Sequence, residues 1–264
     1  MERFDLQSLR TFSPFVLLMV GNRRQGKSYL NNHLCRELAS DYDLIISFMG
    51  SKHCNPELHS FLETQGYDEF QFNQWDSDLM TRLEEQQLEL IQQGRIRRVL
   101  ILVDDITLEH NDREKLAHLC IRGRHFHVSV SMLSVSYSNF HKSCRRSCDF
   151  IVLFSLGCAT DRKLMMEEFA HKKHTCQFYM NQITQKDHTC AVLNLNEKQQ
   201  KVYWFKAPST TGLASGDPTR IPPQNGRTQT LAADDGSGQP MPSNGPGKTV
   251  RTVERPDPVS ISEC

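Results

Sequence analysis

Eight residues constrain this chain more than any others. GNRRQGKS, Gly21 to Ser28, follows directly on the apolar run FVLLMV (15–20) and leads into a stretch with helical spacing. Strand, glycine loop and helix in that order match the polyphosphate-binding pattern G-x-x-x-x-G-K-[ST]. Gly21 and Gly26 let the backbone curl until its N–H groups face an anion, and a helix starting at Lys27 adds the partial positive charge of its N-terminus. In this pattern Lys27 reaches the β and γ phosphates of a nucleotide, and the Ser28 hydroxyl ligates Mg²⁺. The expected binding set is therefore Gly21, Asn22, Arg23, Arg24, Gln25, Gly26, Lys27 and Ser28, with Tyr29 directly behind.

A second apolar run ends in acids. RVLILVDDI (98–106) predicts a strand with Asp104 and Asp105 at the carboxyl edge of a sheet, where ligands of open α/β folds bind. Asp104 is expected to hold the magnesium through water, and Asp105 to orient an attacking water. The bland alternative is two acids opening a solvated loop. No N-K-x-D element is present and no D-x-x-G follows the second strand, which argues against a GTPase.

From 15 to 155, short β-prone apolar runs alternate with helical spacing, the pattern of an α/β fold with a mainly parallel, doubly wound sheet. Further strands are predicted at LIISFM (44–49), VSVSML (128–133) and FIVLFSL (150–156). Runs apolar at nearly every position suit strands covered on both faces. A helix is predicted from Asp76 to Gln93, with Asp76 or Ser77 as cap and Gly94 as stop, and others after Lys27, Asp112 and Thr160. AVLNLNEKQQKVYWFKA (191–207) reads as a C-terminal β-hairpin. Together these features predict a P-loop NTPase.

The last 58 residues, Ala207 to Cys264, hold nine of eleven prolines and half of the glycines, and no Phe, Tyr or Trp. Such a segment cannot bury enough apolar surface to offset chain entropy, so the expected organisation is a domain over 1–206 and a disordered Pro/Gly-rich tail over 207–264. The run at 15–20 is too short for a membrane span or a signal h-region, and the nine scattered cysteines form no C-x-x-C pair, so no membrane span and a reducing cytosol or nucleus are expected. With 31 Lys+Arg against 31 Asp+Glu the chain is formally neutral, which excludes binding nucleic acid or membrane by bulk charge. The signs are segregated, however. Residues 57–114 hold fourteen acids against five Lys/Arg, whereas 115–147 hold six Lys/Arg, four His and no acid.

GNRRQGKS, the LILVDDI strand, IRGRHFHVSVSMLSVSY (121–137) and RRSCDFIVLF (145–154) together resemble the poxvirus-type DNA-packaging ATPases of large DNA viruses, within the FtsK/HerA superfamily. The resemblance spans about 12–206. It implies a homo-oligomeric ring that hydrolyses ATP with Mg²⁺ and moves double-stranded DNA into a capsid. It also implies a capsid or portal contact, and a place in the host cytoplasm or nucleus or in the virion. Asp105 takes the role of the acid that acts on the catalytic water. Arg146 takes that of an arginine finger reaching a neighbour's site, with Arg145 and Arg124 as the next choices. Relatives place a polar sensor, often Gln, after the strand that follows the G-R-H run, where this chain has Val135 between Ser134 and Ser136. Either a serine substitutes, the aligned position slips by one residue, or hydrolysis is impaired. Two other readings therefore stay open: a nucleotide-kinase-like phosphotransferase, and an assembly protein that binds nucleotide without turnover. His171, His174, Cys176, His188 and Cys190 are candidate zinc ligands, but the H-T-C spacing does not match the usual pairs.

Overall fold

The computed structural model describes residues 2–50, 55–168, 188–196 and 201–206. The chain divides into one unit over Met1–Arg220 and a second over Ile221–Cys264, and every described residue lies in the first. The tail expected from Ala207, and His171, His174 and Cys176 of the candidate zinc cluster, lie outside the described residues.

Eight strands form one sheet: β1 (Val16–Val20), β2 (Leu44–Met49), β3 (Gln71–Phe72), β4 (Val99–Asp104), β5 (Val128–Ser134), β6 (Phe150–Leu153), β7 (Thr189–Asn194) and β8 (Lys201–Lys206). Their order is β3-β2-β4-β5-β1-β6-β7-β8. The first six in that order are parallel, and β7 and β8 are the antiparallel hairpin. The helices are α1 (Gln7–Thr11), α2 (Lys27–Leu38), α3 (Pro56–Thr64), α4 (Ser77–Gln92), α5 (His110–Arg122), α6 (Lys142–Arg146) and α7 (Ala159–Glu168).

This order explains the doubly wound reading. The chain moves from β1 out to β2 and β3, then reverses through β4, β5 and β6. With right-handed crossovers, that reversal puts α2 and α3 on one face and α4, α5 and α6 on the other. The contacts agree: α2 packs on α3, and α5 on α6. Strands β1 and β2 are buried at every position because both faces are covered. All seven residues of β5, its serines included, are buried as the expectation of two covered faces requires. Its serines are paired: Ser129 Oγ accepts from Phe15 N and Tyr42 Oη, and Ser131 Oγ donates to Asn31 Oδ1.

Local signals set the boundaries. Asp76 caps α4 by accepting from Leu79 N at 2.8 Å, and the helix closes past Gly94 with bonds from Gly94 N to Ile91 O and Arg95 N to Leu90 O. The sixth strand stops at Leu153, short of the expected 156, because Ser155 O turns to accept from Asn22 N of the glycine loop. The hairpin begins at Thr189, two residues ahead of expectation, where Thr189 pairs with Lys206. The short elements α1, α3, α6 and β3 were not predicted.

At the hairpin end, the N-terminal segment extends the sheet. Phe4 N donates to Trp204 O at 2.8 Å and Trp204 N to Glu2 O at 3.1 Å. The Phe4 ring lies edge-on to Phe150 at 5.7 Å and to Tyr203 at 5.9 Å, and Phe12 also lies 5.7 Å from Phe150. Phe150 is fully buried at this junction. Phe150→Ala is expected to lower stability by about 3–5 kcal/mol, read as a shifted midpoint in urea unfolding.

Candidate functional site

The glycine loop leaves the carboxyl end of β1, the point in the sheet from which the chain first turns outward. Gly21 N donates to Ser134 O at 3.3 Å and Asn22 N to Ser155 O at 2.8 Å, so the ends of β5 and β6 grip the loop from both sides. The Asn22 side chain accepts from Gly157 N at 2.8 Å. A Cβ on Gly21 would overlap Phe154. Gly26 is the cap of α2 at φ 98, and a Cβ there would stand 3.1 Å from Nδ1 of His188. That requirement for glycine is therefore both conformational and steric.

The first hydrogen bond of α2 runs from Leu30 N to Gly26 O at 2.9 Å, which leaves the N–H groups of Lys27, Ser28 and Tyr29 at the mouth of the helix. No acidic side chain occupies its first turn. Lys27 Nζ donates to Gly21 O at 2.6 Å and to Asn22 O at 2.8 Å, folding over the loop it would open onto a ligand. Burial pulls the Lys27 ammonium below its ordinary pKa, against the opposing pull of Asp104 and Asp105.

One cleft collects the chemistry. Arg23, Arg24, Lys27 and Ser28 line it from the loop and the start of α2, Asp104 and Asp105 from the end of β4 and the residue after it, Met49 from β2, and Leu133, Ser134 and Val135 from the end of β5 and the residue after it, with Asn55 beside them. Gly21, Asn22, Gln25, Gly26 and Tyr29 of the expected set are not among its lining residues, and the Tyr29 hydroxyl is buried without a partner among the described residues. The two acids therefore face the loop across β5, which separates β4 from β1. Burial, reinforced by Asp105 and opposed by Lys27, raises the Asp104 carboxyl to about 6. Asp105 and Arg24 hold left-handed backbone at φ 50 and φ 62, and Asp105 O lies 2.7 Å from where a Gly50 Cβ would be. Strained non-glycine residues of this kind cluster at working sites.

Two contributors, Asn55 and His188, are not expected at this cleft from sequence, and a third, Ser134, is one of the serines flanking Val135 that could substitute for the polar sensor. Asn55 forms a reciprocal side-chain pair with Asn32 of α2, at 2.8 and 2.9 Å, and caps α3. His188 sits on Gly26. Ser134 Oγ accepts from Ser136 N at 3.1 Å and from Asn139 Nδ2 at 3.0 Å, which leaves its own proton free beside Val135. Asn55 and His188 become visible only once distant segments meet, and no local pattern marks them.

The arginines of the basic block are elsewhere. Arg124 precedes β5 and Arg146 precedes β6, so both lie at the amino edge of the sheet, opposite the glycine loop. Both are exposed. Arg145 is not: its Nη2 pairs with Glu168 Oε1 at 2.6 Å, its Nε donates to Glu168 Oε2 at 3.1 Å, and its guanidinium lies 4.9 Å from the Tyr137 ring centre. Arg145 is thus occupied inside its own subunit, which leaves Arg146 and Arg124 as the outward candidates. Of the candidate zinc ligands, Cys190 is buried, its thiol pushed up to about 12 by burial, and donates to Phe205 O at 3.4 Å. Among the described residues no cluster of three or more His, Cys, Asp or Glu is placed to hold a metal.

A glycine loop on a central parallel strand, with an acid-tipped strand one position removed, defines a P-loop NTPase. Comparison narrows the class. The family model described as Poxvirus A32 protein matches residues 1–194. The chain belongs to that family, the poxvirus-type DNA-packaging ATPases. No curated protein matches it in sequence.

Solved structures share the fold. B204, the DNA-packaging ATPase from Sulfolobus Turreted Icosahedral Virus, is 15% identical, with 72% of this chain and 97% of that one covered at TM-score 0.52. The cytoplasmic domain of the Type VII secretion ATPase EccC from Thermomonospora curvata is 12% identical, covering 80% of this chain and 26% of that one at TM-score 0.52. EssC (ATPases 2 and 3) from Geobacillus thermodenitrificans is 11% identical, covering 75% and 40% at TM-score 0.51. At such identities the likeness is one of architecture.

Gly26→Ala is expected to weaken nucleotide binding about five- to thirtyfold, measured by titration with a fluorescent ATP analogue, because the left-handed backbone alone costs about 1–2 kcal/mol. Gly94→Ala, where a Cβ meets nothing within 4 Å, should leave that affinity unchanged. The Arg145 pair gives a pH test. Burial raises the Glu168 carboxyl, but hydrogen bonds from Arg145 and Tyr137 outweigh it and hold the group below its ordinary 4.5. A depressed carboxylate stabilises the fold above its unfolded pKa and loses that contribution as pH falls. Glu168→Gln should therefore unfold more easily than wild type at pH 7, by about 1–2 kcal/mol, and the difference should shrink below pH 4.5.

Proposed function

We propose that residues 1–206 form the motor unit of a homo-oligomeric ring that hydrolyses ATP to drive double-stranded DNA into a capsid. The observation that carries this reading is the division of labour between the two sheet edges. Lys27, Ser28, Asp104 and Asp105 share one cleft at the carboxyl edge, while exposed Arg146 stands at the other edge, where it cannot serve its own cleft.

The free N–H groups of the loop and the α2 N-terminus bind the phosphates, and Lys27 exchanges its two carbonyl contacts for the β and γ oxygens. The donor set fits magnesium: Ser28 Oγ and the Asp104 carboxylate, the latter mostly ionised at neutral pH, would hold an ion that neutralises charge on the phosphates. Asp105, exposed at the rim, orients the attacking water. Arg146 of one subunit enters a neighbour's cleft and stabilises charge on the transferring phosphoryl group. An Arg146→Ala change is expected to reduce turnover about 10³-fold. A ring gathers the basic segment 115–147 of every subunit, so a neutral chain concentrates positive charge for DNA. The ring would contact the capsid or its portal, in the host cytoplasm or nucleus or on the virion. Among the described residues no helix is long and apolar enough to cross a membrane.

Val135 in the cleft favours a second reading, an assembly protein without turnover. The Ser134 hydroxyl next to it supports turnover, since a free donor there can meet a phosphate oxygen or the water. ATP hydrolysis measured with and without double-stranded DNA separates the readings. The motor predicts a rate that rises with DNA, needs no small acceptor, and collapses in Lys27→Ala and Asp105→Asn. Equal background rates in all three proteins would leave the assembly reading, and phosphate transfer to a nucleoside or nucleotide at a DNA-independent rate would make it a phosphotransferase. Mixing inactive Lys27→Ala and Arg146→Ala subunits should partly restore activity, because some interfaces then combine intact halves. No recovery in rings shown to be mixed contradicts the role of Arg146.

A further inference from the structure

Two carboxylates on α7 are spent on one short stretch of chain. Asp161, 1% exposed, accepts from Ser136 Oγ at 2.7 Å and from the backbone N–H groups of Tyr137 and Ser138 at 3.1 Å each. Seven residues on, and so on the same helix face, Glu168 accepts from Tyr137 Oη at 2.7 Å and takes both bonds from Arg145. Arg145 Nη1 also donates to Phe140 O at 2.5 Å. The side chains of Arg145 and Glu168 are 7% and 8% exposed, and Tyr137 is fully buried.

The ends of this clamped stretch have different surroundings. Ser134 and Val135 line the nucleotide cleft, and Arg146, next to the clamped Arg145, points to solvent at the far edge of the sheet. The helix that carries the carboxylates is itself tied to the phosphate loop. Gly157, just before it, donates to the Asn22 side chain, and Arg162 Nη1 donates to Leu156 O at 2.9 Å. Buried charge pairs are poor sources of stability compared with apolar packing, but they fix one geometry, because breaking either partner strands a charge.

We propose that Asp161 and Glu168 are positioning residues that make the cleft and Arg146 move as one body. A shift of Ser134 and Val135 against the nucleotide in one subunit then reaches the arginine which that subunit offers to the next. The proposal rests on the reading of Arg146 as a residue acting in trans. It assigns Arg145 to holding Arg146 in place rather than to the reaction, and it gives α7 a role between two sites that share no residue.

The test is a double-mutant cycle on DNA-stimulated ATP hydrolysis by the full chain, with nucleotide affinity measured on the same proteins. Glu168→Gln keeps the shape and removes the charge. It should lower kcat roughly tenfold, as expected for one charge-assisted contact, with KM and nucleotide affinity within about twofold of wild type. In an Arg146→Ala background the same change should cost nothing further, because both act through one group. Tyr137→Phe, which deletes a single bond to Glu168, should show the same pattern at smaller amplitude, and it serves where Glu168→Gln does not fold. Losses that multiply in the double variant overturn the proposal, as does a fall in nucleotide affinity that matches the fall in rate. If Arg146→Ala alone leaves kcat unchanged, the reading of Arg146 itself is wrong, and that single variant reports it separately from the cycle.

Discussion

A loop of unpaired backbone N–H groups must be held open for an anion, and much of this structure is arranged around that constraint. The loop starts on β1, buried between parallel β5 and β6, and its first two N–H groups are already committed to Ser134 O and Ser155 O. Asn22 is tied through its side chain to Gly157. What remains free is the run of donors at the mouth of α2, with no acid in the helix's own first turn to quench them. Lys27 turns back on the carbonyls of Gly21 and Asn22, so loop and lysine hold each other until a phosphate competes. Rigid flanks with an unsatisfied centre are the condition for tight anion binding at a helix terminus.

The two acids follow from the same geometry. With β5 between β4 and β1, Asp104 and Asp105 face the loop across a gap of about two strand spacings, roughly 10 Å. Such a gap separates the acids from direct contact with the loop and leaves room for a charged ligand between them. It also explains the raised Asp104 carboxyl: burial dominates, and the nearby Lys27 offsets only part of it.

The sequence made β1, β2, β4, β5, β6, the hairpin and α4 legible because each carries a complete local signal: a β-prone run, two such runs around a polar turn, or a capped amphipathic stretch ended by Gly94. Elements below that threshold were not legible. The two residues of β3 and the five of α6 are too short for any period to register, and their shape is imposed by neighbours. The site divides in the same way. Lys27, Ser28 and the two acids lie in contiguous motifs, whereas His188 on Gly26 and Asn55 against Asn32 arise where segments far apart in sequence meet. The resemblance ranks Arg146 ahead of Arg145, but no local pattern tells their surroundings apart. Only the fold separates them, one buried against Glu168 and one exposed.

In the proposed ring one subunit's cleft is chemically incomplete, with binding groups at one edge of the sheet and the outward arginine at the other. The most direct test is specific ATPase activity, in saturating DNA and Mg·ATP, as a function of protein concentration, with mass measured on the same samples. An incomplete cleft predicts activity per subunit that rises steeply with concentration and levels off when assembly is complete. Constant activity per subunit down to concentrations where the chain is monomeric would contradict it.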